Sequence, residues 1–254
     1  MLCKYLCANI MSVNNPRGLT MDNRVLITGA TRGIGQAAAR KFKAEGYFVI
    51  GTGTSQIDTP EYLDEYVSCD FTNLEAIDEL CEYVMNSRLT TLVNNAGINI
   101  INNFQEIEPT DFIKVQQVNV YAPFKISQSA LRSMIKRKWG RIVNVSSVWG
   151  KISKQGRASY SASKFGIDGM TVAMANEFAS MGILCNSVAP GFIDTEMTRK
   201  NLGESGIKKI LENVPINRLA NVEEVANLIY MLGSDQNTYI SGQNIAIDGG
   251  FTRA

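Results

Sequence analysis

Histidine is missing from this chain of 254 residues. Its absence excludes every hydrolase scheme in which an imidazole activates a serine or a cysteine. It also removes the imidazole ligands of ordinary catalytic zinc sites, and the sequence predicts no metal site. Proton transfer must therefore fall to tyrosine, lysine, cysteine or a carboxylate, and tyrosine becomes a candidate at once.

Strong net charge and long apolar runs are also missing. The 25 lysines and arginines nearly balance 24 acidic residues, and a net charge of +1 is too small to attract nucleic acid or an anionic membrane. No run of 18 apolar residues exists, so the sequence predicts a protein that does not span a membrane. The cysteines lie scattered, which predicts reduced thiols and a cytoplasmic location. They are Cys3, Cys7, Cys69, Cys81 and Cys185.

The order of apolar and amphipathic segments predicts one domain. Residues 1–20 are expected to be a flexible N-terminal extension, and residues 21–254 a single catalytic domain. Short apolar strands alternate with helices, which predicts an α/β fold of the Rossmann type: a doubly wound parallel sheet with helices on both faces. The expected strands are 25–27, 47–50, 66–69, 91–93, 142–145, 183–188 and 244–247, and the expected helices are 34–45, 74–85, 109–136, 158–180 and 222–232.

A glycine-rich turn follows the first predicted strand, with the sequence TGATRGIG at residues 28–35. Gly29 permits a tight turn out of the strand. Gly33 and Gly35 allow the amides at the helix start to approach a pyrophosphate. A plain turn is the alternative, but the order of strand, glycines and helix favours a dinucleotide site.

The end of the second strand favours NADPH over NADH. It reads GTGTS and lacks the carboxylate that usually holds the ribose 2′-hydroxyl. Thr54 and Ser55 can donate hydrogen bonds to a 2′-phosphate, and Arg32 can supply positive charge. Arg32 as a solvated surface residue remains the alternative.

Two further strand ends complete the expected cofactor edge. Asp70 and Phe71 follow the third strand, where a carboxylate can hold an adenine amino group. Asn95, Ala96 and Gly97 follow the fourth strand, and their small size would let the cofactor approach the sheet. For either segment, a simple turn is the alternative.

Tyr160 and Lys164 lie four positions apart in a predicted helix and therefore on the same face. A lysine about 4 Å from a phenol can lower its pKa from about 10 by at most about three units. Such pairs are more often structural. Here Ser147, at the end of the fifth strand, offers a hydroxyl for a substrate oxygen, with Ser146 as the competing choice.

At this point the chain resembles the short-chain dehydrogenase/reductase family, in its short single-domain branch, over roughly residues 22–251. The resemblance rests on TGATRGIG, NNAG, QVNVYAPF, VNVSS, YSASK and VAPGFIDT, in that order. It implies that Tyr160 is the general acid in reduction, Lys164 its electrostatic partner, Ser147 the carbonyl-orienting hydroxyl and Asn119 part of a water-linked proton relay. The segment from 196 to 213 would be a mobile lid.

The resemblance and the strand ends together predict a cofactor-binding set, in which Ile193 and Thr195 hold the carboxamide. This set is Gly29, Thr31, Arg32, Gly33, Ile34, Gly35, Thr54, Asp70, Phe71, Asn95, Ala96, Gly97, Tyr160, Lys164, Pro190, Gly191, Ile193 and Thr195.

Within the family, GTGTS and VAPGFIDTEMTR are most similar to β-ketoacyl-acyl-carrier-protein reductases. That implies NADPH-dependent reduction of a 3-oxoacyl thioester in fatty acid biosynthesis. Of two basic positions expected to dock the carrier protein, Lys138 is a cation and Met181 is not. Trp149 is bulkier than expected beside Ser147, so it belongs either to the substrate pocket, with Ser147 and Tyr160, or to the core.

Two other functions remain open on the sequence. One is an NAD(P)-dependent dehydrogenase of a sugar, polyol or cyclic alcohol. The other is a non-catalytic NADPH-binding sensor or scaffold. A homotetramer is implied by the resemblance, although the apolar residues of the long helices are predicted to be core. These residues are Phe124, Leu131, Met134, Phe165, Met170, Met174 and Phe178.

Overall fold

The computed structural model of the chain describes residues 23–253, without the side chains of residues 196, 197 and 200–202. The predicted N-terminal extension, residues 1–20, lies outside the described residues. No helix of the described part is both long and apolar enough to cross a membrane.

Seven parallel strands form the sheet, in the order β3-β2-β1-β4-β5-β6-β7. The strands are β1 (Arg24–Ile27), β2 (Phe48–Gly53), β3 (Glu65–Ser68), β4 (Thr91–Asn94), β5 (Gly140–Val145), β6 (Ile183–Pro190) and β7 (Asn244–Ile247). The chain first winds outward from β1 to β3 and then crosses back to β4. The gap between the ends of β1 and β4 is therefore the switch point at which such sheets bind ligands.

Helices cover both faces, so the predicted doubly wound fold is confirmed. They are α1 (Gly33–Ala44), α2 (Leu74–Asn86), α3 (Pro109–Gln116), α4 (Ala122–Arg137), α5 (Ala158–Phe178), α6 (Glu196–Leu211) and α7 (Val222–Gly233). Alternate residues of a strand face opposite sides of the sheet. Val25 and Ile27 accordingly enter the core beneath α1 and α7, whereas Leu26 enters the core beneath α2 and α4.

The helix predicted over residues 109–136 is not continuous. A π-helical turn, Gln117–Tyr121, separates α3 from α4. Its wider turn contains Asn119, one of the predicted catalytic residues. Short π segments inside α-helices frequently occur at functional sites.

The apolar residues of the long helices divide into two groups. Leu131, Met134 and Met174 are buried as predicted, and Met170 and Phe178 are partly buried against the same core. Phe124 and Phe165 are instead 41% and 50% exposed, so their prediction as core residues is wrong for this single chain. Helical spacing alone does not distinguish a face that packs on the sheet from one left open on an outer helix.

Candidate active site

The turn between β1 and α1 requires glycine for two reasons, the conformation of its backbone and the space available. Gly29 and Gly33 have φ values of 66° and 56°, which disfavour any residue with a Cβ. A Cβ on Gly35 would lie 2.1 Å from the carbonyl oxygen of Gly29 and 2.5 Å from Nδ2 of Asn95. The start of α1 therefore packs directly on the strand ends, and this cradle fits the approach of a dinucleotide pyrophosphate.

Hydrogen bonds tie the ends of β1 and β4 together at the switch point. Oγ1 of Thr28 accepts from the amides of Asn95 and Ala96, each at 3.0 Å. Nδ2 of Asn95 donates to the carbonyls of Thr28 and Gly29, at 2.9 and 3.1 Å. The Asn95 side chain thus shapes the turn, and its predicted cofactor contact remains a prediction.

The edge of the sheet that is predicted to bind the adenosine part of the cofactor is accessible to solvent. Arg32 and Thr54 are exposed, and no described carboxylate lies within ion-pair distance of Arg32. Oδ1 of Asp70 accepts from the amide of Thr72 at 2.9 Å, while Phe71 is buried. Arg32 is therefore available to an anion, whereas the Asp70 carboxylate already stabilises a turn.

The loop after β6 borders the other end of the switch point. A Cβ on Gly191 would lie 2.8 Å from Cα of Asp248, so the close approach of these two backbones requires glycine. Ile193 is buried and pairs with Ala220 in an isolated parallel bridge. Oγ1 of Thr195 accepts from the amide of Thr198 and caps α6. The loop is thereby held in place beside β6.

The four predicted catalytic residues converge at the carboxyl edge of the sheet. Ser147 follows β5, and Tyr160 and Lys164 project from the start of α5. Nζ of Lys164 donates to the carbonyl of Val145 at 2.7 Å and lies 5.4 Å from the centre of the Tyr160 ring. The three side chains thus surround the end of β5.

Asn119, in the π-helical turn, is the fourth member of this group. Its Oδ1 accepts from the amide of Ile98 and its Nδ2 donates to the carbonyl of Ile98, both at 2.9 Å. A second donation reaches Oγ of Ser163 at 3.0 Å. A Cβ on Gly97 would lie 3.3 Å from Oδ1 of Asn119 and 3.7 Å from Nζ of Lys164, so the two side chains are neighbours across this glycine.

Burial has the largest effect on the pKa values of Tyr160 and Lys164. It raises the pKa of Tyr160, opposed by hydrogen bonding with the Ser147 hydroxyl and by the positive charge of Arg157. The sequence predicted a lowering by Lys164, but the amine of that residue is directed at a backbone carbonyl. Burial lowers the pKa of Lys164 to about 8, with Asp168 acting in the opposite direction. At neutral pH Tyr160 is therefore a neutral phenol and Lys164 is largely charged.

The structure separates the roles of the two serines. Oγ of Ser146 donates to Oδ2 of Asp168 at 2.8 Å. Ser147 is the serine that interacts with Tyr160. Sequence reasoning missed Asp168, a partly buried carboxylate on α5 whose spacing of four residues from Lys164 was the available signal.

Trp149 is buried in an aromatic cluster that also contains Phe192 and Phe251. Its ring centre lies 6.3 Å from that of Phe192 and 5.9 Å from that of Phe251, in edge-to-face contacts. Its amide donates to Oγ of Ser147 at 3.2 Å. Trp149 is thus packed against the loop after β6 and is also hydrogen-bonded, through its amide, to the side chain of Ser147.

Two cations near Trp149 were missed by sequence reasoning. Nζ of Lys154 lies 5.1 Å from the centre of the Trp149 ring, and Cζ of Arg157 lies 5.9 Å from it. The available signal was the repeated basic residue at every third position, Lys151, Lys154 and Arg157, just before Tyr160.

Comparisons with known proteins decide the family. A family model described as enoyl-(acyl carrier protein) reductase matches residues 29–252. The 3-oxoacyl-[acyl-carrier-protein] reductase FabG of Aquifex aeolicus is 40% identical over 237 residues, which cover 89% of this chain and 95% of the relative. The chain belongs to the short-chain dehydrogenase/reductase family.

Other relatives agree with this membership. FabG of Escherichia coli is 36% identical over 234 residues, covering 89% of this chain and 95% of the relative. A solved structure provisionally named a gluconate 5-dehydrogenase, from Beutenbergia cavernae with bound NADP, gives a TM-score of 0.86 at 30% identity, covering 91% and 97% of the two chains. A 4-hydroxyisoleucine dehydrogenase with NADH gives 0.84 at 32%, covering 91% and 99%.

Family membership fixes the class of enzyme. The chain is an NAD(P)-dependent oxidoreductase that acts on a CH–OH or C=O group, as the sequence predicted. The non-catalytic sensor or scaffold is thereby set aside. In this fold the glycine turn lies between β1 and α1, and the hydroxyl of Ser147, the phenol of Tyr160 and the amine of Lys164 lie after β5 and near the start of α5.

Proposed function

We propose that this short-chain dehydrogenase/reductase is an NADPH-dependent 3-oxoacyl-thioester reductase acting on acyl groups carried by acyl carrier protein. The observation that carries the proposal is the grouping of Ser147, Tyr160, Lys164 and Asn119 at one edge of the sheet. It is supported by curated relatives at 36% and 40% identity that are named 3-oxoacyl-[acyl-carrier-protein] reductases.

In this proposal each catalytic side chain acts on the substrate oxygen or its proton. The Ser147 hydroxyl donates a hydrogen bond to the carbonyl oxygen, and the Tyr160 phenol transfers its proton to that oxygen as it becomes an alkoxide. The Lys164 cation stabilises the resulting phenolate. When NADPH is bound, with its pyrophosphate in the glycine cradle, its nicotinamide would supply the hydride. Asn119, which lies in the π-helical turn, is part of the water-linked proton relay.

The choice of NADPH rests on the adenosine edge. Arg32 is exposed without a described carboxylate beside it, and Thr54 follows β2 where a 2′-phosphate would lie. Arginine binds phosphate through several parallel hydrogen bonds. The solved relatives hold NADP in one case and NADH in another, so the proposal depends on this chain's own residues.

Docking of a carrier protein is proposed at the end of α4. Lys138, in the left-handed region with φ 54°, ends this helix and is exposed beside Met181. Because this surface carries one cation at these two positions, we expect it to bind a carrier protein more weakly than a surface that carries two.

The proposed assembly is a homotetramer in the cytoplasm. Support comes from large apolar side chains left exposed on α3, α4 and α5, since contiguous apolar patches mark interaction surfaces. They are Phe112, Ile113, Phe124, Phe165 and Val172.

The proposed function is tested by steady-state reduction of acetoacetyl-acyl carrier protein, with NADPH and NADH oxidation followed in parallel. We expect turnover with a preference for NADPH. A protein that reduces keto-sugars but no 3-oxoacyl thioester would contradict it.

A second candidate is a dehydrogenase of a sugar or sugar acid. It is favoured by the basic residues near Trp149 and by solved relatives named for gluconate and 4-hydroxyisoleucine. Oxidation of gluconate by NADP⁺ at a rate above thioester reduction would support this candidate over the first.

A further inference from the structure

The loop that leads into α5 presents positive charge to the catalytic residues. Arg157 is the residue directly before α5, and Lys154 precedes it by three positions. Arg157 acts electrostatically on Tyr160, and both cations lie near the ring of Trp149, whose amide is bonded to Ser147. The two cations therefore border the place where the reacting carbonyl would be held.

Neither cation has an acidic partner among the side chains that the structure describes. No ion pair involves Lys154 or Arg157 in that part of the chain, and Nε of Arg157 is buried without a hydrogen-bond acceptor. Burial lowers the pKa of both groups, and their mutual repulsion adds to the effect on Lys154. Arg157 is partly buried and Lys154 is exposed beside it. A partly desolvated cation without a partner is destabilising, so an anion from outside would stabilise Arg157.

A groove lined by Lys154 and by both chain neighbours of Arg157, Gly156 and Ala158, is large enough for such an anion. It measures about 380 Å³ and is lined by Asn103, Phe104, Gln105, Ser153, Lys154 and Gly156, among others. The carboxylate of Glu106 is held by Nδ2 of Asn103 at 3.1 Å, and it forms no ion pair with either cation. Phe104 is 80% exposed at the rim, so the groove is open to solvent.

We propose that Arg157 and Lys154 bind an anionic group of the substrate, a carboxylate or a phosphate, beside the carbonyl held by Ser147 and Tyr160. The inference rests on the proposed function for the position of that carbonyl. It adds to the proposed function a subsite for a negatively charged group of the substrate, beside the carbonyl that is reduced.

Binding is measured first, without turnover. Trp149 is one of two tryptophans, so a Trp139→Phe background makes its fluorescence a local reporter. Succinate and inorganic phosphate are titrated separately, with and without NADP⁺, and calorimetry on the chain with both tryptophans checks that the background is intact. We expect saturable binding that Arg157→Gln weakens about tenfold to a hundredfold, the usual effect of losing a charge-assisted hydrogen bond.

Kinetics then identify the anion. Oxo acids of increasing chain length are compared with their methyl esters, and dihydroxyacetone phosphate with dihydroxyacetone. We expect the charged member of one series to have at least about a tenfold higher kcat/KM, and Arg157→Gln to bring that ratio close to one. Lys154→Gln is expected to have a smaller effect, and Arg132→Gln, which removes an exposed cation on α4, none.

The outcomes separate this inference from the proposed function. Reduction of neutral 3-oxoacyl thioesters, together with no anion binding or with binding unchanged by Arg157→Gln, overturns the inference and leaves the proposed function standing. Anion binding through Arg157 without reduction of any thioester overturns the proposed function and supports the inference.

Discussion

The two halves of the candidate site are built in different ways. The cofactor half, between β1, β2 and β4, is made of backbone. Gly29 and Gly33 have positive φ values, and Gly35 leaves no room for a Cβ. The catalytic half, around β5 and α5, is made of side chains that carry a hydroxyl, a phenol and an amine. We therefore expect the first half to be sensitive to any increase in volume and the second to the loss of a single functional group.

The largest effect should come from the catalytic half. Tyr160→Phe removes the transferable proton while retaining the ring, so kcat should fall by about 10²- to 10⁴-fold. Stopped-flow reduction assays and cofactor titration would show that binding is retained. Ser146→Ala, which alters a serine bonded to Asp168, serves as the matched control and should lose far less activity. Retention of more than a tenth of the activity by Tyr160→Phe would refute the proton transfer.

The cofactor half should respond most to one added methyl group. Gly35→Ala would place a Cβ within 2.1 Å of a backbone oxygen, and we expect it to lower the free energy of unfolding by about 1–3 kcal/mol and to weaken cofactor binding. Urea unfolding and NADPH titration measure both effects.

The control is Gly169→Ala on α5, where an added Cβ meets nothing within 4 Å. This change should be neutral or stabilise by up to about 1 kcal/mol. Equal destabilisation by both substitutions would show that the cradle is not the cause.

A smaller effect is expected at the adenosine edge. Arg32→Ala should lower the ratio of kcat/KM with NADPH to that with NADH by about tenfold, because a charge-assisted hydrogen bond to the 2′-phosphate is lost. Arg132→Ala, at an exposed site on α4, is the control for loss of charge. An unchanged ratio in Arg32→Ala would assign Arg32 to the solvated surface.

The smallest effect concerns pH. The charged form of Lys164 is needed to stabilise the phenolate, and burial lowers its pKa to about 8. Activity should therefore be full below that pH and fall as pH rises through about 8, earlier than for an ordinary lysine. Asp168→Asn removes the negative charge that raises the pKa of Lys164, so the fall should begin at lower pH, by less than about one unit.

Asp78→Asn, a change to an exposed aspartate on α2 that pairs with Lys125, is the control for the pH profile. It should leave the midpoint in place. A midpoint near 10 in the unchanged enzyme would show that burial does not control Lys164.

Much of the fold could be predicted because its causes are local. The strands buried on both faces read as short apolar runs, and their alternation with helices is typical of a parallel doubly wound sheet. The π-helical turn around Asn119 could not be predicted, since its flanking residues fit a continuous helix equally well. The exposed Phe165 has the same origin, because helical spacing does not tell which partner a face will meet.

The candidate site also has some features that could be predicted from the sequence and others that could not. The spacing of Tyr160 and Lys164 is weak evidence by itself. Together with the glycine turn, Ser147, Asn119 and the family resemblance, it was sufficient to predict the enzyme class. The raised pKa of Tyr160, the contact of Lys164 with Val145 and the two cations beside Trp149 depend on segments distant in sequence. The amino-acid sequence by itself thus determined which chemical groups are present and on which elements they lie. Only the tertiary structure decided their burial and their partners, because desolvation and Coulomb energy depend on distances that local spacing does not set.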